Sequence, residues 1–272
     1  MIIYNPKQWL RLIFQFHPAD TARKLLPAML AVSFYTAIFS VVELEYLHFH
    51  TLNTTAIHSL LGIVISLLLV FRTNSAYDRW WEGRKLWGSL VNTSRNIAMK
   101  WSVMIDPQYV HLRGDMRRLL TQFPIELKEH LRGNSVGEHR PNTIASGIIR
   151  LLHEAYSRKL ITGDQLIILN PEVTALTDIT GGCERIRSTP IPYSYNIFIK
   201  KFIFFYTATL PYAFVESYGY STILLTVFIF YALASLELVA EEIEDPFGLD
   251  ANDLSTDELA EKIGVSVRAL IQ

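Results

Sequence analysis

Cysteine occurs once, at Cys183, so no disulfide can form within the chain and no thiolate metal cluster can be built in a single copy. Charge is scarce as well: Asp, Glu, Lys and Arg make up 19% of the 272 residues against 50% apolar, and the formal net charge of −1 gives no electrostatic reason to bind nucleic acid. There is no phosphate loop and no Ser or Cys nucleophile elbow, and the eight histidines form no ligand pair on any one helix. Enzyme chemistry therefore has no visible home, and no cofactor is expected. Strand alternation and repeats of solenoid period are absent too, which leaves an all-helical chain.

The missing charges are concentrated in windows. A bilayer core needs roughly 20 consecutive residues without an unpaired charge. Leu25–Val42 and Tyr46–Phe71 contain no Asp, Glu, Lys or Arg, and the second ends in LLGIVISLLLVF. Phe202–Val215 is shorter and carries Pro211, whereas Tyr218–Leu236 is again charge-free. These windows predict four membrane spans. The first 24 residues hold scattered charges and no small-residue cleavage site, so span one is expected to drive insertion.

Flanking residues orient the spans. Lys7, Arg11, Arg23 and Lys24 precede span one, Arg72, Arg79, Arg84 and Lys85 follow span two, and Lys200 and Lys201 precede span three. The turns at the other ends carry Glu43, Glu45 and Glu216 but no Lys or Arg. Counting basic residues therefore puts both termini and the middle of the chain in the cytoplasm, in a cell inner (plasma) membrane.

Residues 72–201 show apolar residues at helical spacing, as in LWGSLVNTSRNIAMKWSVMI, and read as several cytoplasmic helices. Boundaries are expected at Asp106-Pro107, in RGNSVGEHRPNT, at Thr162-Gly163-Asp164 and at Asn170-Pro171. The expected division is thus 1–71 (spans one and two), 72–201 (cytoplasmic helices), 202–236 (spans three and four) and 237–272 (acidic helix and tail). Few spans give little polar lining within one subunit, so a water-filled path is expected on a symmetry axis between subunits.

Three stretches carry more information. FRTNSAYDRWWEGRKLWG, from Phe71 to Gly88, holds Arg72, Tyr77, Arg79, Trp80, Trp81 and Trp87, the residue types of an interfacial belt. GGCERIRSTPIPYSY, from Gly181 to Tyr195, has paired glycines that permit a turn. Its Pro190 and Pro192 remove two backbone donors and present Ile191 at a helix break. In LELVAEEIEDPFGLDANDL, Glu237, Glu241 and Glu244 can share one helix face, where they repel unless basic groups meet them. The plain reading is an acidic helix paired with Arg and Lys. Asp250, Asn252 and Asp253 are oxygen ligands of the calcium type, but not at EF-hand spacing.

Together these stretches resemble the bestrophin family, in its short bacterial form, over nearly the whole chain. The strongest markers are Glu-Asp-Pro-Phe-Gly at 244–248 with Asn-Asp-Leu at 252–254, and Gly-Gly-Cys-Glu-Arg followed by Thr-Pro-Ile-Pro. The resemblance implies an all-α membrane protein that assembles as a homopentamer, with the pore on the five-fold axis and four spans per subunit. By position it implies a neck of Ile63, Leu67 and Phe71 and a cytosolic constriction at Ile191. Span two is apolar on every face, so periodicity does not select that stripe. Apolar rings conduct when wide and wet and stop ions when they dewet, which makes the neck a hydrophobic gate.

Animal members carry a run of consecutive acids after the Pro-Phe-Gly turn that clasps calcium. Here it is reduced to Asp250, Asn252 and Asp253, and currents independent of micromolar calcium are expected. Family activity implies chloride, whereas an outer mouth of Glu43, Glu45 and Glu216 would concentrate cations such as sodium. Two other classes stand against a channel: a solute carrier, for which Pro211 is the sole candidate break, and a non-conducting scaffold or signalling protein.

Overall fold

The computed structural model describes residues 21–47, 55–134 and 138–272, and no strand occurs among them. Lys7 and Arg11 lie outside the described residues. Helix α1, Thr21–Val41, continues as a π-helical turn over Val42–Leu47. Helix α2, Thr55–Met104, runs unbroken through the second apolar window and the basic, aromatic stretch that follows it. After it come α3 (Val110–Leu131), α4 (Arg140–Ser157), α5 (Gly163–Ser188), α6 (Tyr193–Tyr218), a 3-10 turn at Gly219–Ser221, α7 (Thr222–Glu244) and α8 (Thr256–Leu270). Three segments are long and apolar enough to cross a membrane: Thr21–Leu47, Thr55–Met104 and Tyr193–Glu244. The last holds α6 and α7, which pack on each other.

Most expected boundaries have a visible cause. Helix α2 ends just before Asp106-Pro107, where Arg113 donates to the carbonyl oxygens of Ser102 and Ile105 that the helix leaves without amide partners. Helix α5 starts in a capping box: the Thr162 hydroxyl accepts from the Gln165 amide, and the Gln165 side chain accepts from the Thr162 amide. Asn170-Pro171 is not a boundary. Pro171 sits inside α5, and the buried stripe of Leu169, Val173, Leu176 and Ile179 on both sides holds the helix together across the missing donor. Likewise Pro211 lies within α6 and does not end it.

The chain divides into two compact units, Ile2–Asp78 with Pro190–Glu244, and Arg79–Thr189 with Asp245–Gln272. Against the expected junctions after residues 71, 201 and 236, the first unit also keeps Arg72, Lys200 and the acidic end of α7. These groups pair with one another inside it. Its apolar core is small, with Ile65, Leu69, Ile199, Ile203, Tyr206, Leu210 and Leu233, while many of its large apolar side chains face outward. The second unit buries Trp87, Trp101, Phe123 and aliphatic residues from α2, α3, α4, α5 and α8. Cys183 is in that core, and burial pushes its thiol up to about 12, so it behaves as a small apolar residue.

Candidate pore-lining site

Tertiary packing selects a face of α2 that its sequence does not. His58, Ile65, Leu69, Arg72 and Ala76 are buried along one stripe. Ile63, Leu67 and Phe71, at successive i, i+4 positions, are 67%, 54% and 55% exposed on another. The Ser66 hydroxyl beside them donates to the Gly62 carbonyl at 2.7 Å, so this stretch exposes little polarity of its own. A groove of about 590 Å³ lined by Gly62, Ile63, Ser66, Leu67, Val70 and Tyr206 runs along this part of the helix.

Ile191 is half-buried in the break between α5 and α6, at the proline pair that sequence analysis singled out. Its amide donates to Glu244 Oε1 at 2.7 Å. Arg72 Nη2 donates to the other oxygen of the same carboxylate at 2.7 Å, and Arg72 Nε lies 3.5 Å from Glu237 Oε2. Asn196 Nδ2 adds a longer contact of 3.5 Å to Glu244. One glutamate thus ties the helix residue next to Phe71 to the backbone of Ile191. Arg72 is fully buried, and a buried charge is tolerated only when it is paired.

Arg72 is not at an interfacial belt, as its neighbours in sequence suggest, but inside, as the counter-charge of the acidic helix end. Trp87 is also fully buried. Trp80 Nε1 donates to the Asn252 carbonyl at 3.0 Å. Arg79 donates to the carbonyls of Ile186 and Thr189 at the end of α5, where the unmet carbonyls favour a cation. Only Tyr77 and Trp81 of that group keep the exposure a belt requires. The acidic face also divides. Glu241 pairs with Lys200 at 2.8 Å, whereas Glu242, absent from the expected set, is buried against Lys24.

The Gly181-Gly182 pair lies within α5 and makes no turn. Its reason is close packing, because a Cβ on Gly182 would stand 2.9 Å from Leu86 Cδ2. The Pro-Phe-Gly segment is likewise a packing device. Phe247 is buried against Gly83, where a Cβ would meet its ring at 3.1 Å, and the Leu254 amide donates to the Pro246 carbonyl at 2.9 Å. Asp253 is buried and its Oδ2 accepts from the Asp250 amide at 2.6 Å; the Asp250 side chain points outward.

The three acids assigned to the outer mouth differ in environment. Glu43 is buried, Glu45 accepts from the Tyr220 hydroxyl at 2.9 Å, and Glu216 is exposed. The π-helical turn that carries Glu43 and Glu45 packs against α6, which carries Glu216.

Comparison with known proteins places the chain among relatives of one family. The family model described as bacterial/fungal bestrophin protein matches residues 1–269. A voltage-dependent anion channel-forming protein of Nostoc is 36% identical over 219 residues, which are 73% of this chain and 71% of the relative. A protein of the same description from Escherichia coli K12 is 31% identical over 286 residues, 98% of this chain and 93% of its own length. The crystal structure of a bacterial bestrophin homologue from Klebsiella pneumoniae is similar at a TM-score of 0.84 and 25% identity, over 91% of this chain and 98% of that one. With its motifs, helical fold and membrane-capable segments accounted for, the chain belongs to the bacterial and fungal bestrophin family.

Proposed function

We propose that this chain is one subunit of a homopentameric ion channel in the inner (plasma) membrane, with four spans per subunit and both termini in the cytoplasm. The pore runs along the symmetry axis, necked by Ile63, Leu67 and Phe71 and constricted again at Ile191. The observation that carries the reading is the α2 stripe: these three large apolar side chains are exposed, while the stripe through Ile65 and Leu69 is buried in the subunit core. A closed ring of subunits turns such a stripe into apolar rings, which gate by wetting and dewetting.

The names of the relatives favour anions, and the family resemblance favours chloride among them. A second reading, small cations such as sodium, is favoured by the acids at the other end of the spans, where Glu216 is exposed and no Lys or Arg occurs in the turns. Calcium has no gating part in either reading. Asp253 Oδ2 is engaged by the loop's own amide, which supports a loop that closes without an ion.

Purified protein in planar bilayers under a sodium chloride gradient tests this. Reversal near the chloride potential supports the anion reading. Reversal near the sodium potential that weakens when Glu43, Glu45 and Glu216 are all neutralised supports the cation reading. Leu67→Ala or Phe71→Ala raises conductance or open probability, and unchanged currents in both variants would sink the neck assignment. Calcium chelation leaves the current unaltered; a current that vanishes restores the clasp. Saturable counter-transport would instead point to a carrier, and absence of any flux to a scaffold.

A further inference from the structure

Outside the membrane-capable unit, three metal-ligating side chains converge from three helices, and the channel reading uses none of them. His130 lies in the last turn of α3, His139 is the N-cap of α4, and Glu184 is on α5. Nε2 of His130 is 2.7 Å, and Nε2 of His139 2.6 Å, from the same Glu184 Oε1. The two rings lie 4.5 Å apart between centroids. All three side chains are half-buried, so the cluster is held by the fold yet open to solvent on one side. The His139 ring is oriented by its cap, because Nδ1 accepts from the Asn142 amide at 3.3 Å. That bond keeps the ring proton on Nε2, where it is donated to Glu184.

We propose that His130, His139 and Glu184 form a binding site for a divalent transition metal of the Zn²⁺ class. Two imidazoles and a carboxylate suit Zn²⁺, whereas Ca²⁺ and Mg²⁺ select oxygen donors. Three protein ligands leave a fourth position for water. At metal-ligand bonds of about 2.0–2.1 Å, tetrahedral donors sit ~3.3 Å from one another. Each imidazole nitrogen must therefore move away from the Glu184 oxygen by a fraction of an ångström. Two of the three residues lie at helix ends, where such a shift needs no repacking of the core. On loading, the metal takes the Nε2 lone pair of His139 and the ring proton moves to Nδ1. The Asn142 amide then loses its acceptor, so the ion replaces the cap as the tie at the start of α4.

Zn²⁺ titrated calorimetrically into the purified full-length protein tests the site, with Co²⁺ as the spectroscopic stand-in. The expected result is one Zn²⁺ per chain and visible Co²⁺ bands of a four-coordinate site. Affinity falls at least about tenfold in His130→Gln, Glu184→Gln and His139→Asn. His139→Asn is the decisive variant, because Asn retains a capping oxygen but supplies no imidazole. At the same concentration Zn²⁺ raises the melting temperature of the parent protein by more than that of His139→Asn. No Zn²⁺ binding by the parent, equal binding by all three variants, or equal competition by Ca²⁺ would each overturn the proposal. No current is measured, so failure here leaves the channel reading intact and failure of the channel reading leaves the metal site intact.

Discussion

The two compact units bury opposite things. In Arg79–Thr189 with Asp245–Gln272, Trp87, Trp101 and Phe123 are inside, and ion pairs such as Lys100–Glu172 at 2.6 Å and Lys128–Asp257 at 2.7 Å lie toward the surface. In Ile2–Asp78 with Pro190–Glu244, Leu30, Phe34, Phe204, Leu224 and Phe228 face outward while Arg72, Glu237, Glu242 and Glu244 are buried. The first pattern is the one that water selects and the second is the one that hydrocarbon selects. In lipid, apolar exposure carries no hydrophobic penalty, and a charge is kept only where a counter-charge meets it. Both units are helical, so the difference lies in which side chains are buried and not in secondary structure.

The comparison breaks first at Arg72. Arg72→Ala leaves Glu237 and Glu244 without their buried counter-charge, and an uncompensated buried pair costs about 3–5 kcal/mol. Thermal unfolding in detergent should show the loss, together with altered current because Ile191 hangs on the same Glu244. A variant that melts and conducts like the parent would mean that these acids do not need Arg72 as their counter-charge.

Core truncation comes next. Leu120→Ala, at a fully buried position of the second unit, is expected to cost about 2–5 kcal/mol through lost contacts and a residual cavity. Leu224→Ala, at a position 76% exposed in the first unit, should stay within about 0.5 kcal/mol. Denaturation of the two variants side by side sharpens the contrast, and equal costs would show that position 224 is covered in the assembled protein.

The smallest effect is at the surface. Arg132 and Lys128 bond Asp257 at the start of α8 and hold its carboxyl well below the usual carboxylate range. A depressed carboxyl stabilises the fold above its unfolded pKa, and the contribution fades as pH falls through that value toward the folded one. Its side chain is 60% exposed, so screening limits the gain to less than about 1 kcal/mol. Asp257→Asn should remove that modest loss from the acid limb of a stability-against-pH profile and leave neutral stability nearly unchanged. A large drop at neutral pH would show that the pair is structural.

Helix content, the apolar windows and the proline-bracketed break at Ile191 were legible because each is a local property of consecutive residues. Misreadings came where a local signal had a distant partner. Gly181-Gly182 looked like a turn and is a place for Leu86 to pack. Arg72 looked interfacial because its counter-charge lies 172 residues away. The histidine cluster joins residues 54 and 45 positions distant from Glu184, so no spacing rule could reveal it. Asn170-Pro171 looked like a stop, but burial on both sides outweighs one missing donor.

By itself the sequence determined that the chain is helical, that its charge-free stretches suit a bilayer and that its motifs are of bestrophin type, since composition and nearest-neighbour order decide these. Only tertiary structure decided which side of α2 is free. A helix apolar all round has no preferred face until its neighbours choose one, and packing against Ile199, Ile203 and Tyr206 leaves Ile63, Leu67 and Phe71 outside.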